Sequence, residues 1–143
     1  MARRQERRRL MINSGAFAYV DLLTASADYA WKRNEVLGSN MSNVNTPGYK
    51  RQDVSFESVL SAAVARASSS SRTLTQTVRN INYNALKPTV YTDNSNLSYR
   101  LDGNNVDVDV EQIEIASNQY YYKGIIDSMN QEFSRFSTVL ATT

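Results

Sequence analysis

At 143 residues the chain has room for one domain with a modest core, and without cysteine or histidine it is denied disulfides, the usual zinc sites, cysteine nucleophiles and the Ser-His-Asp arrangement. Its net charge of +2 is uneven: residues 1–10 carry five arginines and one glutamate, or +4, so the other 133 residues sum to −2. Only Lys32, Lys50, Lys87 and Lys123 remain as amine bases, none in a catalytic motif, so an enzyme is not expected.

The chain opens on Arg3, Arg4, Arg7, Arg8 and Arg9. Such a run suits phosphates or anionic lipid, and equally a solvated tail, which is the reading adopted for residues 1–10. Met11 follows directly and is expected to be the native start, with residues 1–10 an upstream, disordered extension. Asn13, Ser14, Gly15 and Asp21 interrupt any apolar stretch, so no cleavable signal can be built here. Nothing along the chain approaches the roughly 20 apolar residues of a membrane span.

A first helix is predicted from Asn13 or Ser14, either of which can cap it, to about Val44. Ala16, Val20, Leu23, Ala27, Ala30, Asn34, Leu37, Met41 and Val44 alternate in steps of four and three, which places them on one seam with Asn34 as its only polar member. One such stripe is what an ordinary amphipathic helix packed on its own domain would show. Flanking Phe17, Tyr19, Leu22, Trp31 and Val36 widen it, and that excess predicts surface kept for another subunit.

Pro47 disfavours helical geometry at Thr46, and Pro47-Gly48 suits a type II turn, because Gly accepts positive φ at the second central position. Asn40, Asn43 and Asn45 have low helix propensity; their recurrence suggests amide bonds to the redirected backbone or to a neighbour, with simple fraying as the alternative.

Residues 54–67 read as a short amphipathic helix with Phe56, Val59, Leu60, Ala63 and Val64 near one face. Ser68-Ser69-Ser70-Ser71 reads as a flexible loop. Residues 73–99 are rich in Thr, Asn and Tyr and read as short strands. Alternating Leu97-Ser98-Tyr99-Arg100-Leu101 is expected to pair with Val90 and Tyr91 through a turn at Asp93-Asn94-Ser95-Asn96.

Asp102-Gly103-Asn104-Asn105-Val106-Asp107 forms a second turn, leading into a helix over about 109–140 that Asp107 or Asp109 caps. The spacing fails as an EF-hand calcium loop, because from Asp102 the glycine falls second and Val106 fifth. Ile115, Gln119, Tyr122, Ile126, Met129, Phe133, Phe136 and Leu140 repeat the four-three alternation, with Tyr121 and Ile125 widening it. The expected fold is therefore mainly α: long N- and C-terminal helices pairing as a coiled-coil-like bundle, with a small β-hairpin and a flexible loop between them. The segments are 1–10 (basic extension), 11–49 (helix and turn), 50–100 (variable middle) and 101–143 (turn and helix). Two terminal stripes with nothing catalytic between them predict assembly, without cofactor, metal or small-molecule substrate.

Ser39-Asn40-Met41-Ser42-Asn43-Val44-Asn45-Thr46-Pro47-Gly48-Tyr49-Lys50 resembles the Asn-x-x-Asn-x-x-Thr-Pro-Gly-Tyr signature of bacterial flagellar rod and hook proteins. The short length, Ser-rich middle and Asp102-to-Asp107 motif are similar to proximal members of the flagellar basal-body rod protein family, over about residues 11–60 and 100–143. The resemblance implies a basal-body subunit, exported through the flagellar type III apparatus without a cleaved signal, that polymerises as the proximal rod and helps to transmit motor torque. Implied partners are further copies of itself, other rod proteins, components joining rod to membrane ring, and the export apparatus. It further implies that Val20, Leu23, Leu37 and Met41 face Ile126, Met129, Phe133 and Phe136 in the helix pair. Asn40, Asn43, Pro47 and Gly48 set the turn, with Thr46, Tyr49, Asp102, Gly103, Asn104 and Asn105 as further structural positions. Leaving apolar side chains uncovered, each representing roughly 1.5–3 kcal/mol on burial, would couple folding to polymerisation. The rivals are another flagellar axial subunit and a nucleic-acid-binding coiled coil using the Arg run; the acidic body argues against the second.

Overall fold

The computed structural model describes residues 17–69, 73–83, 86–93 and 100–141. The Arg run, the expected caps Asn13 and Ser14, Ser70 and Ser71 of the serine loop, and Leu97, Ser98 and Tyr99 lie outside the described residues. In chain order the elements are α1 (Ala18–Ser42), β1 (Gln52–Ser55), α2 (Glu57–Ser68), α3 (Leu74–Arg79), β2 (Thr89–Thr92) and α4 (Val108–Ala141). The fold is mainly helical, as its two long apolar periodicities require.

α1 and α4 pack antiparallel. The Phe17 and Phe136 rings stack with centroids 5.3 Å apart at one end, Asn118 Nδ2 donates to the Ala30 carbonyl at 2.8 Å midway, and Asn40 Nδ2 donates to Glu111 Oε2 at 3.1 Å at the other end. α1 serves two partners. Leu23, Ala30 and Leu37, seven residues apart, are buried along the α4 side, whereas Ala25, Tyr29 and Val36 join Val54, Phe56, Ala67, Ile81 and Leu86 in the apolar core of the middle region. Tyr29 stacks on Phe56 at 4.8 Å and so pins the exit of β1 against the helix.

Val90 and Tyr91 do lie in a strand, but the strand described beside them is β1 and not the expected 97–101, of which only Arg100 and Leu101 are described. β2 pairs antiparallel with β1, Val54 opposite Val90 and Gln52 opposite Thr92, with α2 and α3 in the connection. Of the predicted partner, Arg100 and Leu101 lie in a turn closed by Gly103 N donating to Arg100 O at 3.1 Å. Val54, read as helical, belongs to β1; α2 starts after Phe56, with Val59, Leu60 and Ala63 half-buried on the core. The Thr-rich stretch expected as strand forms α3, because the Thr73 hydroxyl accepts from Gln76 N at 3.3 Å and caps the first turn. Asp107 caps α4, its Oδ1 accepting from the Asp109 and Val110 amides at 2.9 and 3.3 Å.

Candidate functional site

The redirecting turn closes through Tyr49 N donating to Thr46 O at 3.2 Å, with Gly48 at φ +72° in the position where a type II turn needs positive φ. Gly103, at φ +75°, sits against it: Gly48 N donates to Asp102 O at 2.8 Å, and Lys50 Nζ to Gly103 O at 2.6 Å. Asn104 is wholly buried, and its amide donates to the carbonyls of Asn43, Val44 and Thr46 at 2.9, 3.0 and 2.9 Å. It thereby ties together the carbonyls of the turn that follows α1, assisted by Arg100 Nη1 on Val44 O at 3.0 Å. Asn105 accepts from Arg51 N at 2.7 Å and donates to Asp93 O at 2.9 Å. The Thr-Pro-Gly-Tyr turn and the Asp-Gly-Asn-Asn turn, remote in sequence, are two halves of one clasp.

Asn40, also fully buried, ties this clasp to the sheet. Its amide donates to Gln52 O at 2.7 Å and to Glu111, while its oxygen accepts from Gln52 N at 3.0 Å and Tyr49 Oη at 3.1 Å. Asn43 stays local, donating to Ser39 O at 2.8 Å and accepting from the Thr46 hydroxyl at 3.1 Å, and Asn45 is exposed. Beneath Asn40 lies an ionic network. Buried Arg51 reaches Glu111 through Nε, and Asp53 and Asp93 through Nη1 at 3.2 and 2.9 Å. Arg33 grips Asp53 with two bonds of 2.9 and 3.2 Å and extends to Glu114 at 2.9 Å. Burial pushes the Asp53 carboxyl upward, but the Arg33 hydrogen bonds, the Val54 amide and both guanidinium charges outweigh it and hold the group below its ordinary value. The Asn104 amide and the Arg100 guanidinium depress Asp102 likewise. Among the described residues no group of three or more His, Cys, Asp or Glu side chains is placed to hold a metal ion.

The helix faces differ from the predicted seams. α4 buries Glu111, Asn118 and Ile125 at spacings of seven, with Ile115, Tyr122, Met129 and Phe136 half-buried along the same line. Gln119, Ile126, Phe133 and Leu140, also spaced by seven, follow one residue later and so about 100° round the helix; Ile126 is half-buried, Phe133 52% exposed and Leu140 76% exposed. On α1, Val20, Ala27, Asn34 and Met41 sit roughly 50° to the side of Leu23, Ala30 and Leu37; Asn34 is exposed, and Trp31 beyond it is 68% exposed. Rotation in the same sense on antiparallel helices lands on the same side of the pair. Tyr29 and Arg33, which meet Tyr121 and Glu114, mark the opposite side, where the middle region packs. One flank, carrying Val20, Ala27, Trp31, Ile126, Phe133 and Leu140, is therefore left uncovered by the other described residues.

The register corrects one expected pairing. Val20 and Leu23 lie level with the stretch from Ile126 to Phe136, whereas Leu37 and Met41 lie at the Asn40–Glu111 end, more than two turns of helix away. Sequence reasoning missed Arg33, Arg51, Asp53, Asp93, Glu111 and Asn118. The available signal was the seven-residue spacing of Glu111, Asn118 and Ile125, hidden because two of the three are polar. Asn118 Oδ1 is buried without a hydrogen-bond partner.

No family model matches the chain. Among curated proteins it is 32% identical over 111 residues to flagellar basal body rod protein FlgB of Bacillus subtilis (strain 168), spanning 76% of this chain and 81% of that protein. It is 30% identical over 118 residues to the FlgB of Escherichia coli (strain K12), spanning 76% and 83%. With the FlgB of Borrelia hermsii the identity is 31% over 128 residues, spanning 85% and 94%.

Proposed function

The chain belongs to the family of flagellar basal body rod protein FlgB, and from that premise we propose that it polymerises as the proximal part of the rod through the uncovered flank of its two long helices. It is a structural component of the flagellar basal-body rod rather than an enzyme. The observation that carries the proposal is the flank itself: half-buried Ile126 and exposed Phe133, Leu140 and Trp31 line one side of a helix pair whose other side is occupied by the middle region. Exposed apolar surface of this extent is stabilised by a partner. Neighbouring helices would complete a coiled-coil-like bundle, and Val20, Leu23, Met129 and Phe136 would support it from within.

In this reading Asn40, Asn43, Thr46, Pro47, Gly48 and Tyr49, clasped by Asp102, Gly103, Asn104 and Asn105, make a stiff joint through which torque passes from one helix to the other. The partners are further copies, the next rod proteins and the components that join rod to membrane ring. Delivery is by the flagellar export apparatus, and a chain with no cysteine to cross-link is suited to passing through it unfolded.

The test is genetic. In a strain lacking this gene, the wild-type gene should restore complete rods and swimming, while Phe133→Asp and Ile126→Asp, which place a charge in the flank, should not despite normal protein levels. Complete basal bodies in the deletion strain would overturn the rod reading.

A further inference from the structure

We propose that the clasp is a folding checkpoint: α4 docks fully on α1, and the two-helix flank forms, only when the turn and the β1–β2 sheet have formed, because these supply the partners of its buried Glu111. This inference rests on the flank being the assembly surface, but its structural half is tested independently below.

Glu111 is wholly buried, and the partners of its carboxylate are Arg51 on one oxygen and Asn40 on the other. A carboxylate is taken out of water at acceptable cost only when such partners are already in place. Arg51 is set by Asp53, two residues on in β1, and by Asp93, which follows β2 and whose N–H donates to the Arg51 carbonyl, and Asn40 by both backbone groups of Gln52 and by Tyr49 Oη. Those groups converge only in the formed sheet and turn. The dependence runs the other way as well, since the buried Arg51 N–H is satisfied by Asn105 and the turn after α1 is held by Asn104. Neither half is complete without the other, although the apolar core of the middle region, Ala25 through Leu86, contains no α4 residue. Apolar contact alone would let that core fold with α4 detached, and the polar clasp removes the independence. A subunit with a disordered middle would then present two separate helices instead of the flank, and polymerisation would reject it.

Hydrogen exchange on the full-length protein decides this. In Asn104→Ala and Glu111→Gln, protection should fall roughly ten- to a hundredfold in three places at once: residues 36–42 of α1, residues 52–55, and residues 119–136 of α4, well beyond the clasp. The milder Glu111→Gln, which keeps the side chain's shape, covers the case in which Asn104→Ala does not fold. Loss confined to residues 43–48 and 102–111, or an α4 that exchanges freely in the wild-type protein while the sheet is protected, would overturn the checkpoint. Both readouts come from the isolated subunit and are independent of whether cells build rods.

Discussion

The two ends of the antiparallel helix pair are held in opposite ways. At the Asn40–Glu111 end, buried amides and ion pairs with assigned donors and acceptors leave little to be completed from outside. At the Phe17–Phe136 end the contact among the described residues is apolar, a ring stack between side chains that are themselves partly exposed. Polar burial is intolerant of an absent partner and so defines one geometry, whereas apolar surface accepts any well-shaped neighbour. One end is organised to be a subunit and the other to be joined.

The sharpest way to break the contrast is Arg51→Met, which takes the ionic partner from wholly buried Glu111. Removing one partner of a buried pair costs about 3–5 kcal/mol, a large share of a small domain's stability, and urea unfolding should show it as a lowered midpoint. Gly48→Val has open space for its side chain but forces a β-branched residue to φ +72°; the expected loss is about 1–3 kcal/mol, again at the clasped end. Asn118→Leu, between the two ends, removes the unsatisfied Oδ1 together with the bond to the Ala30 carbonyl, two opposed effects that should leave stability within about 1 kcal/mol of the original. At the joining end, Phe133→Asp should change subunit stability by less than about 0.5 kcal/mol while abolishing rod assembly; equal losses of stability at both ends would erase the distinction.

Acid offers the same test without mutation. The Asp53 carboxyl is depressed in the folded protein, so the unfolded chain binds more protons as pH falls. Its contribution is fully present above the ordinary carboxylate value of about 3.9 and is lost as pH drops through that value toward the folded one. Asp53→Asn should flatten this acid limb in pH-dependent unfolding, with the exposed flank unaffected.

Features that depend on local order were legible in the sequence. The two long helices, the Pro47-Gly48 turn and the Asp107 cap each follow from neighbours within a few residues. Asn40, Asn43, Gly48, Gly103 and Asn104 stand out for their low helix propensity or backbone freedom, although nothing in the sequence says what they bond. The partner of β2 was illegible because β1, Gln-Asp-Val-Ser, has no strand signature; its burial depends on Arg33 and Arg51 neutralising Asp53. The buried line of α4 was only half legible because Glu111 and Asn118 occupy it, so an apolar pattern search joins its Ile115, Tyr122, Met129 and Phe136 to Ile126, Phe133 and Leu140 of the flank. That displacement is physical: the widest apolar stripe on each helix includes residues that the other described residues leave uncovered.

Trp31 is the sole tryptophan of the chain and stands on that flank, 68% exposed. An indole in water emits at longer wavelength than one enclosed by side chains, so the protein carries its own optical gauge of association. Its emission should lie to the red in the free subunit and move to the blue as neighbours close over the flank, which allows growth to be followed in real time without a label.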